Sequence, residues 1–490
     1  MVKTNFYKDQ VDNSSKEIAK IHKYWARKPI SIIDIFIKKY SEPNDYVLDP
    51  FCGSGTFGLS SSSLNRQYVG YDLNPISNLI CKVALRQDKN IEKLNQEFIK
   101  LEKNVKDKIL ELYKFKDSYI KYQVNSSSKK KNKVVLTDAN FSTKSLKVVF
   151  ENIPEKKIDL SSISIPNNIF PEKFYKDRFS YKGYSKVSDF YSSRNLKSLE
   201  ILFNEINQFK NPYKNIFLLS FTNTLLHVSK LKSENVRPLS VNNYWLPEDH
   251  IEENVWWRFE ERYKRQIEGQ SFIKNNYKLL TKSKIYLSSG IKLKNSKPNS
   301  IDYVITDPPY GDVIQYSELS FIWNTWLGKD FKNDNELIIN PKQNKNNDYF
   351  INEFETFIKK IKSILKKNKY FTLCFHNKNL SIWIELLKVI YFNGFNLIDI
   401  SVFNTHGNSY NTNWSKFSPK SDFYLTFQNK KLKKSLKNNI SFKDLVKKVK
   451  LSKNNISDSY DLLVSEVIKN IFIGNDVTDI EDDFIKKYFS

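Results

Sequence analysis

Asp307-Pro308-Pro309-Tyr310 puts an acid, two residues that can continue neither helix nor strand, and an aromatic ring next to one another. The run before it, Ile301-Asp302-Tyr303-Val304-Ile305-Thr306, has the apolar character of a buried strand, which the prolines stop at its C-terminal end. In open α/β sheets that is where ligands bind. Asp307 and the Pro308 carbonyl offer two acceptors that could grip an NH2 group, and Tyr310 offers a face for a planar base. Taken alone, the stretch reads equally well as a strand-to-loop turn, because Asp-Pro and Pro-Pro are common punctuation.

A second candidate site lies near the N-terminus. Tyr46-Val47-Leu48-Asp49 reads as a strand and is followed by Pro50-Phe51-Cys52-Gly53-Ser54-Gly55-Thr56-Phe57-Gly58. Such glycines let a backbone approach a ligand and expose N–H groups at the start of the next helix. Tyr68-Val69-Gly70-Tyr71-Asp72 then reads as a second strand ending in an acid, which completes a nucleotide-binding βαβ unit with Asp72 placed for ribose hydroxyls. Gly53, Gly55 and Gly58 match the dinucleotide fingerprint, so a nicotinamide or flavin enzyme has to be weighed. Asp49-Pro50-Phe51 stands where a pyrophosphate loop would run straight from strand into glycine, and an acid there repels phosphate. It suits the amine or sulfonium of S-adenosylmethionine better. Upstream, His22-Lys23-Tyr24-Trp25-Ala26-Arg27-Lys28-Pro29 leads into a helical pattern carrying Ile30, Ile33, Ile37 and Tyr40, with Pro29 suited to the first turn and the cations facing a potential ligand.

The chain has 490 residues, enough for several domains, and a formal net charge of +25, which favours a polyanionic partner. Its three cysteines, Cys52, Cys81 and Cys374, form no Cys-x-x-Cys pair, so neither a zinc ribbon nor a disulfide framework is expected, and a reducing compartment is implied. No apolar leader and no long apolar run occurs, which predicts a soluble, cytoplasmic protein. No metal site is expected.

The elements that position these motifs follow from periodicity. Ile91, Leu94, Phe98, Leu101, Val105 and Ile109 make one helical stripe, read as packing. Ser126 to Lys133 reads as a basic loop. From about 118 to 280 the α/β rhythm breaks, with helical patterns at Leu196 to Phe209, Ile216 to Val228 and Glu252 to Gln266. The last interleaves Trp256, Trp257, Phe259 and Tyr263 with Arg258, Arg262, Lys264 and Arg265, a composition suited either to stacking and phosphate contacts or to a half-buried helix. The rhythm resumes at Lys284-Ile285-Tyr286-Leu287. Tyr370 to Phe375, Phe395 to Phe403 and Asp422 to Phe427 read as further strands, the last two as an antiparallel hairpin whose polar loop carries Asn408, Asn411, Asn413 and Trp414.

Asp49-Pro50-Phe51-Cys52-Gly53-Ser54-Gly55-Thr56 together with Asp307-Pro308-Pro309-Tyr310 resembles the prokaryotic DNA amino-methyltransferases, which methylate adenine N6 or cytosine N4. His22 to Pro29 and Tyr310 to Leu319 are similar to an adenine-specific subgroup. The resemblance covers roughly residues 20 to 85 and 284 to 427. It implies a Rossmann-like seven-stranded α/β methyltransferase sheet with a terminal antiparallel hairpin, here interrupted by a largely helical insertion. It divides the chain into a donor-binding half (1–117), an inserted region and candidate for target recognition (118–280), a catalytic half (281–430) and a basic extension (431–490). In the class with this motif order the recognition region usually follows the third strand, whereas here the insertion precedes it.

The resemblance further implies that Arg27, Lys28, Pro29, Asp49, Phe51, Gly53, Ser54, Gly55, Thr56 and Asp72 bind S-adenosylmethionine, and that Asp307, Pro308, Pro309 and Tyr310 act on a base flipped from double-stranded DNA. A cognate restriction endonuclease is an implied partner. The acid that often follows the third strand in the family is missing at Leu287-Ser288-Ser289-Gly290. Methylation at cytosine C5 would require a Pro-Cys nucleophile, which none of the three cysteines provides. The expected activity is therefore adenine-N6 methylation of DNA. Cytosine N4 is the nearest alternative, followed by an RNA or protein-amide acceptor; a binding protein with a dead core is disfavoured because both motifs are intact.

Overall fold

A strand that is buried at every position must be paired at both edges and covered on both faces. Ile301–Thr306, buried at all six positions, is such a strand. A computed structural model of the chain, which describes residues 2–7, 13–25, 27–126, 131–153, 158–171, 174, 183–235, 237–238, 244–329, 335–377, 379–404, 421–430, 435–449 and 456–480, sets it inside an eight-stranded sheet. The strands in chain order are β1 (Thr4–Tyr7), β2 (Tyr46–Asp49), β3 (Gln67–Asp72), β4 (Lys284–Leu287), β5 (Ile301–Thr306), β6 (Leu365–Phe375), β7 (Phe395–Asn404) and β8 (Ser421–Asn429). Across the sheet they run β1-β7-β8-β6-β5-β2-β3-β4. Every pairing is parallel except those of β8, which is antiparallel to β6 and β7.

Seven of these strands fall on runs read as strands from the sequence. β1 is an addition, lying in a polar N-terminal stretch that was not read as a strand. Its pairing with β7 is reinforced by Tyr7 stacking on Phe403 at 4.5 Å and by Asn5 donating to Asp399 at 3.0 Å. Neither partner is near in sequence, so no local pattern reveals the strand.

Alternation along the strands sorts the core into two layers. Val47, Tyr303 and Ile305 face one side with α1 (Ile30–Tyr40), α2 (Thr56–Ser63) and α3 (Pro75–Ala84). Leu48, Val304, Phe371 and Leu373 face the other with α4 (Asn347–Ile364), α5 (Leu380–Phe392) and α6 (Ile456–Ile473). The tail is thus not a mere basic extension: Leu463, Val467 and Ile471 are buried in this second layer, and Tyr460 donates to the Asn377 carbonyl at 2.7 Å. Among the described residues no helix is long and apolar enough to cross a membrane.

The inserted region carries strands as well as helices. Its helices, Ser193–Gln208, Tyr213–Leu225 and Val255–Asn276, are joined by a five-stranded antiparallel sheet built from Lys114–Phe115, Ser118–Asn125, Lys133–Thr137, Lys147–Phe150 and His250–Glu253. Alternating Ile120 and Val124 with the β-branched run Val134-Val135 favours strand, but charged neighbours dilute the signal. The aromatics of Val255–Asn276 are mainly core: Trp256 and Phe259 are fully buried, and Tyr263 stacks on Phe98 at 3.9 Å. Trp257 and Phe272 are partly open, and Trp257 sits against Arg258 and Lys121. Of the basic loop, Ser127 to Lys130 lie outside the described residues, as do Asn408, Asn411, Asn413 and Trp414.

Candidate active site

β2 and β5 are neighbours, with Val47 opposite Tyr303 and Leu48 opposite Val304, so Asp49 and Asp307 leave the same edge of the sheet. From β2 the chain continues to β3 on one side, while β5 lies on the other. This reversal opens a crevice at the strand tips. Thr306 Oγ1 donates to Asp49 Oδ1 at 2.8 Å and fastens the two tips together.

Beyond β2 the loop turns back through Gly55, whose φ of +79° is left-handed and whose added Cβ would lie 3.1 Å from Cys81 Sγ. Only glycine meets both demands. Asp72 shapes the same loop, accepting from the Gly53 N–H and the Asn74 N–H at 2.8 Å each. Opposite, Gly290 packs so closely that a Cβ there would stand 1.9 Å from the Pro50 carbonyl oxygen.

One cavity joins these parts. Its walls include Tyr24, Trp25, Arg27, Lys28, Phe51, Gly53, Ser54, Thr56, Asp72, Asn74, Ser289, Gly290, Asp307, Pro309, Tyr316 and Glu336. Nine residues picked from the sequence, Arg27, Lys28, Phe51, Gly53, Ser54, Thr56, Asp72, Asp307 and Pro309, thus line one space. Pro29, Asp49, Gly55, Pro308 and Tyr310 are not among its lining residues. Pro29 precedes α1 as its N-cap, and Gly55 does the same for α2. Asp49 is fully buried below the loop, where its carboxyl accepts from Thr306, from the Phe51 N–H at 3.1 Å and from the Tyr68 hydroxyl at 3.2 Å.

Burial sets the protonation of these acids. It pushes Asp49 up to about 7 against the pull of its three hydrogen bonds, and it raises Asp72 as well. Burial also raises Asp307 to about 6, although Lys28 and the Tyr310 hydroxyl act in the opposite sense. Tyr310 donates its hydroxyl to Asp307 Oδ1, and its ring stands edge-on to Phe375 at 5.3 Å. Lys28 Nζ lies 3.7 Å from Asp307 Oδ2 and 2.9 Å from Asp422 Oδ2. Burial disfavours the Lys28 charge, but the two carboxylates outweigh it and hold its pKa above the ordinary lysine value.

Several site residues escaped the sequence reading. Asp422 was seen only as the start of a strand. Because β8 runs against its neighbours, its beginning lies at the edge where β5 and β6 end, with Phe423 opposite Phe375. Tyr316, which stacks on Tyr24 at 6.0 Å, falls within the run Tyr310 to Leu319 but was given no role of its own. Asn74, followed by Pro75 in an Asn-Pro pair typical of a helix start, carried a usable signal.

A mixed α/β sheet with these two loops across its switch point is consistent with the methyltransferase class of folds. Comparison with known proteins narrows the class. Residues 3–82 match the family model described as DNA methylase. The chain is 26% identical over 300 residues to the type II methyltransferase M.MvaI of Kocuria varians, which covers 57% of this chain and 64% of the relative. It is 57% identical over 47 residues to M.XycI of Xanthomonas campestris pv. cyanopsidis, 10% of this chain and 16% of the relative. It is 25% identical over 187 residues to M.MjaII of Methanocaldococcus jannaschii, 35% of this chain and 33% of the relative. The chain therefore spans less than two thirds of the length of each of these relatives. These similarities support a relationship to the prokaryotic DNA amino-methyltransferases.

Proposed function

We propose that the protein transfers a methyl group from S-adenosylmethionine to the exocyclic amine of a base in double-stranded DNA, with adenine N6 as the acceptor. The single observation that carries this reading is that the glycine loop and Asp307 line one cavity. Seven of the eight strands, β2 to β8, are read as the methyltransferase sheet and β1 as an addition at its edge.

The cavity's residues fit the donor. Arg27, whose buried Nε lacks a partner, suits the carboxylate of its methionine portion. Asp72 keeps acceptor capacity for ribose hydroxyls, and the aromatic walls suit an adenine ring. When bound, the donor supplies an electrophilic methyl group on a sulfonium.

The chain's own contribution is orientation and charge. An exocyclic amine lends its lone pair to the ring and is a weak nucleophile. Asp307 and the Pro308 carbonyl, accepting its two hydrogens, favour a pyramidal nitrogen aimed at the methyl group. As the N–C bond forms and the sulfonium leaves as a thioether, the carboxylate stabilises the positive charge growing on nitrogen. A duplex base reaches Asp307 only after flipping, with Tyr310 as its stacking surface. The inserted region is the proposed recognition module, and a restriction endonuclease is the proposed companion. Cytosine N4 is the second reading, because its amine presents the same two hydrogens to Asp307.

The test is transfer of label from the donor to unmethylated duplex DNA, RNA or neither, followed by nucleoside chromatography. Labelled N6-methyladenine is expected. N4-methylcytosine would replace the adenine assignment, and label confined to RNA would overturn the DNA reading.

A further inference from the structure

Lys28 is shared unequally. Its Nζ is 2.9 Å from Asp422 Oδ2, a hydrogen-bonded ion pair, and 3.7 Å from Asp307 Oδ2, too long for a hydrogen bond. Lys28 is 6% exposed, so water does little to screen either pair. Without Asp422, Asp307 is the remaining carboxylate that acts on the ammonium, and its attraction draws Lys28 closer. A lysine in direct contact would occupy Oδ2, while Tyr310 already donates to Oδ1. The acceptor positions needed by an incoming amine would then be filled.

We propose that Asp422 is a positioning residue for methyl transfer, one that holds Lys28 back from Asp307 so that Asp307 Oδ2 stays free to receive the substrate amine. The proposal rests on the reading of Asp307 as the amine acceptor. Asp422 is itself held in place. His376 Nδ1 lies 3.8 Å from Asp422 Oδ1 and donates to the Ser421 carbonyl at 2.9 Å, while the Ser421 hydroxyl donates to Asp461 at 2.5 Å. This chain links the start of β8 to the end of β6 and to α6. The groups that face Asp307 electrostatically are Lys28, Asp422 and the neutral Tyr310, Tyr316, Tyr424 and Cys374. Lys28 is therefore the cation, and Asp422 the anion, whose balance sets how readily Asp307 ionises.

Removing the Asp422 charge has a signed consequence. Asp307 loses a like charge and gains a closer cation, and both changes favour its ionised form. In Asp422→Asn, Asp307 should titrate lower by about one pH unit, whereas in Lys28→Met it should titrate higher. A role for Asp422 in the fold alone would leave the Asp307 titration of folded Asp422→Asn unmoved.

The experiment has two readouts on the full chain. The first is the Asp307 carboxyl titration, taken from infrared difference spectra between each protein and its Asp307→Asn counterpart. The second is kcat and KM for labelled methyl transfer to duplex DNA between pH 5 and 9. For Asp422→Asn we expect a downward titration shift, the same shift in the acid limb of kcat/KM, and a loss in kcat of about tenfold or more with donor KM little changed. Asp422→Glu should restore most of the rate. Asp422→Ser, smaller and also neutral, repeats the test if the Asn variant fails to fold. An unchanged carboxyl titration in the folded neutral variants would overturn the proposal. Absence of DNA methylation by the unmodified protein would instead reject the functional reading, and the infrared titration would still decide whether Asp422 governs Asp307.

Discussion

Asn324 and Asn74 clasp each other across the site. Asn324 Nδ2 donates to Asn74 Oδ1 at 3.0 Å, and the Ser320 hydroxyl accepts from both side-chain amides at 3.0 and 3.1 Å. Asn74 follows the acid Asp72 and caps α3, whereas Asn324 belongs to the helical segment beyond Tyr310. The donor side and the acceptor side are thus joined by a buried amide pair, each member 2% exposed. Asn324→Ala leaves Asn74 without this partner in a dry site. A stability loss of about 1–3 kcal/mol is expected, together with weaker donor binding. Urea denaturation and calorimetric titration with the donor measure the two effects.

Asp307 should govern the pH dependence. Its carboxyl is raised to about 6, and only the ionised form offers Oδ2 to the amine as a charged acceptor while Tyr310 donates to Oδ1. Activity should therefore rise as pH increases through about 6, seen as the acid limb of kcat/KM. Asp307→Asn should lower kcat by about 100-fold or more and leave donor affinity largely intact. A variant with full activity would remove Asp307 from the mechanism.

Asp49 should act on stability instead. Its pKa is raised from an ordinary carboxyl value to about 7 by burial, so the folded state prefers the protonated form. Its contribution is complete below the unfolded pKa and is lost as pH rises through about 7. Asp49→Asn abolishes this loss. The variant's stability relative to the unmodified protein should improve by up to about 3 kcal/mol between pH 5 and pH 8, as read from urea transitions.

Gly290→Ala should damage the donor loop from behind. Its Cβ would fall 1.9 Å from the Pro50 carbonyl oxygen, and backbone cannot yield as a flexible side chain can. A loss of about 2 kcal/mol or more is expected, with donor affinity falling more steeply than DNA affinity. Equal losses in both affinities would indicate general unfolding instead.

What the sequence disclosed follows the range of its physical signals. Strand tips with prolines or glycines are local, so Asp307 and Gly53 could be found and placed on opposite sides of one crevice. Contacts between distant segments leave no such mark. Asp422 reaches Lys28 across 394 residues, and Tyr244 donates to the Glu318 and Leu319 carbonyls from inside the inserted region. The burial of Asp49 went unread for a related reason. An acid at a strand tip looks available, but the hydroxyls of Tyr68 and Thr306 that cover it come from β3 and β5. The aromatic helix Val255–Asn276 carried an ambiguous pattern, resolved only by Phe98 packing on Tyr263.

The pairing of β1 with β7 also bears on how the molecule is made. Thr4 lies opposite Ile400 and Tyr7 opposite Phe403, so the earliest strand to leave the ribosome has no partner until almost four hundred residues have followed. At about 5–20 residues per second that is a wait of about 20–80 seconds. Throughout that interval an edge with Phe6 and Tyr7 is open to strands of other nascent chains, and the strand that shields it is made only after most of the sheet.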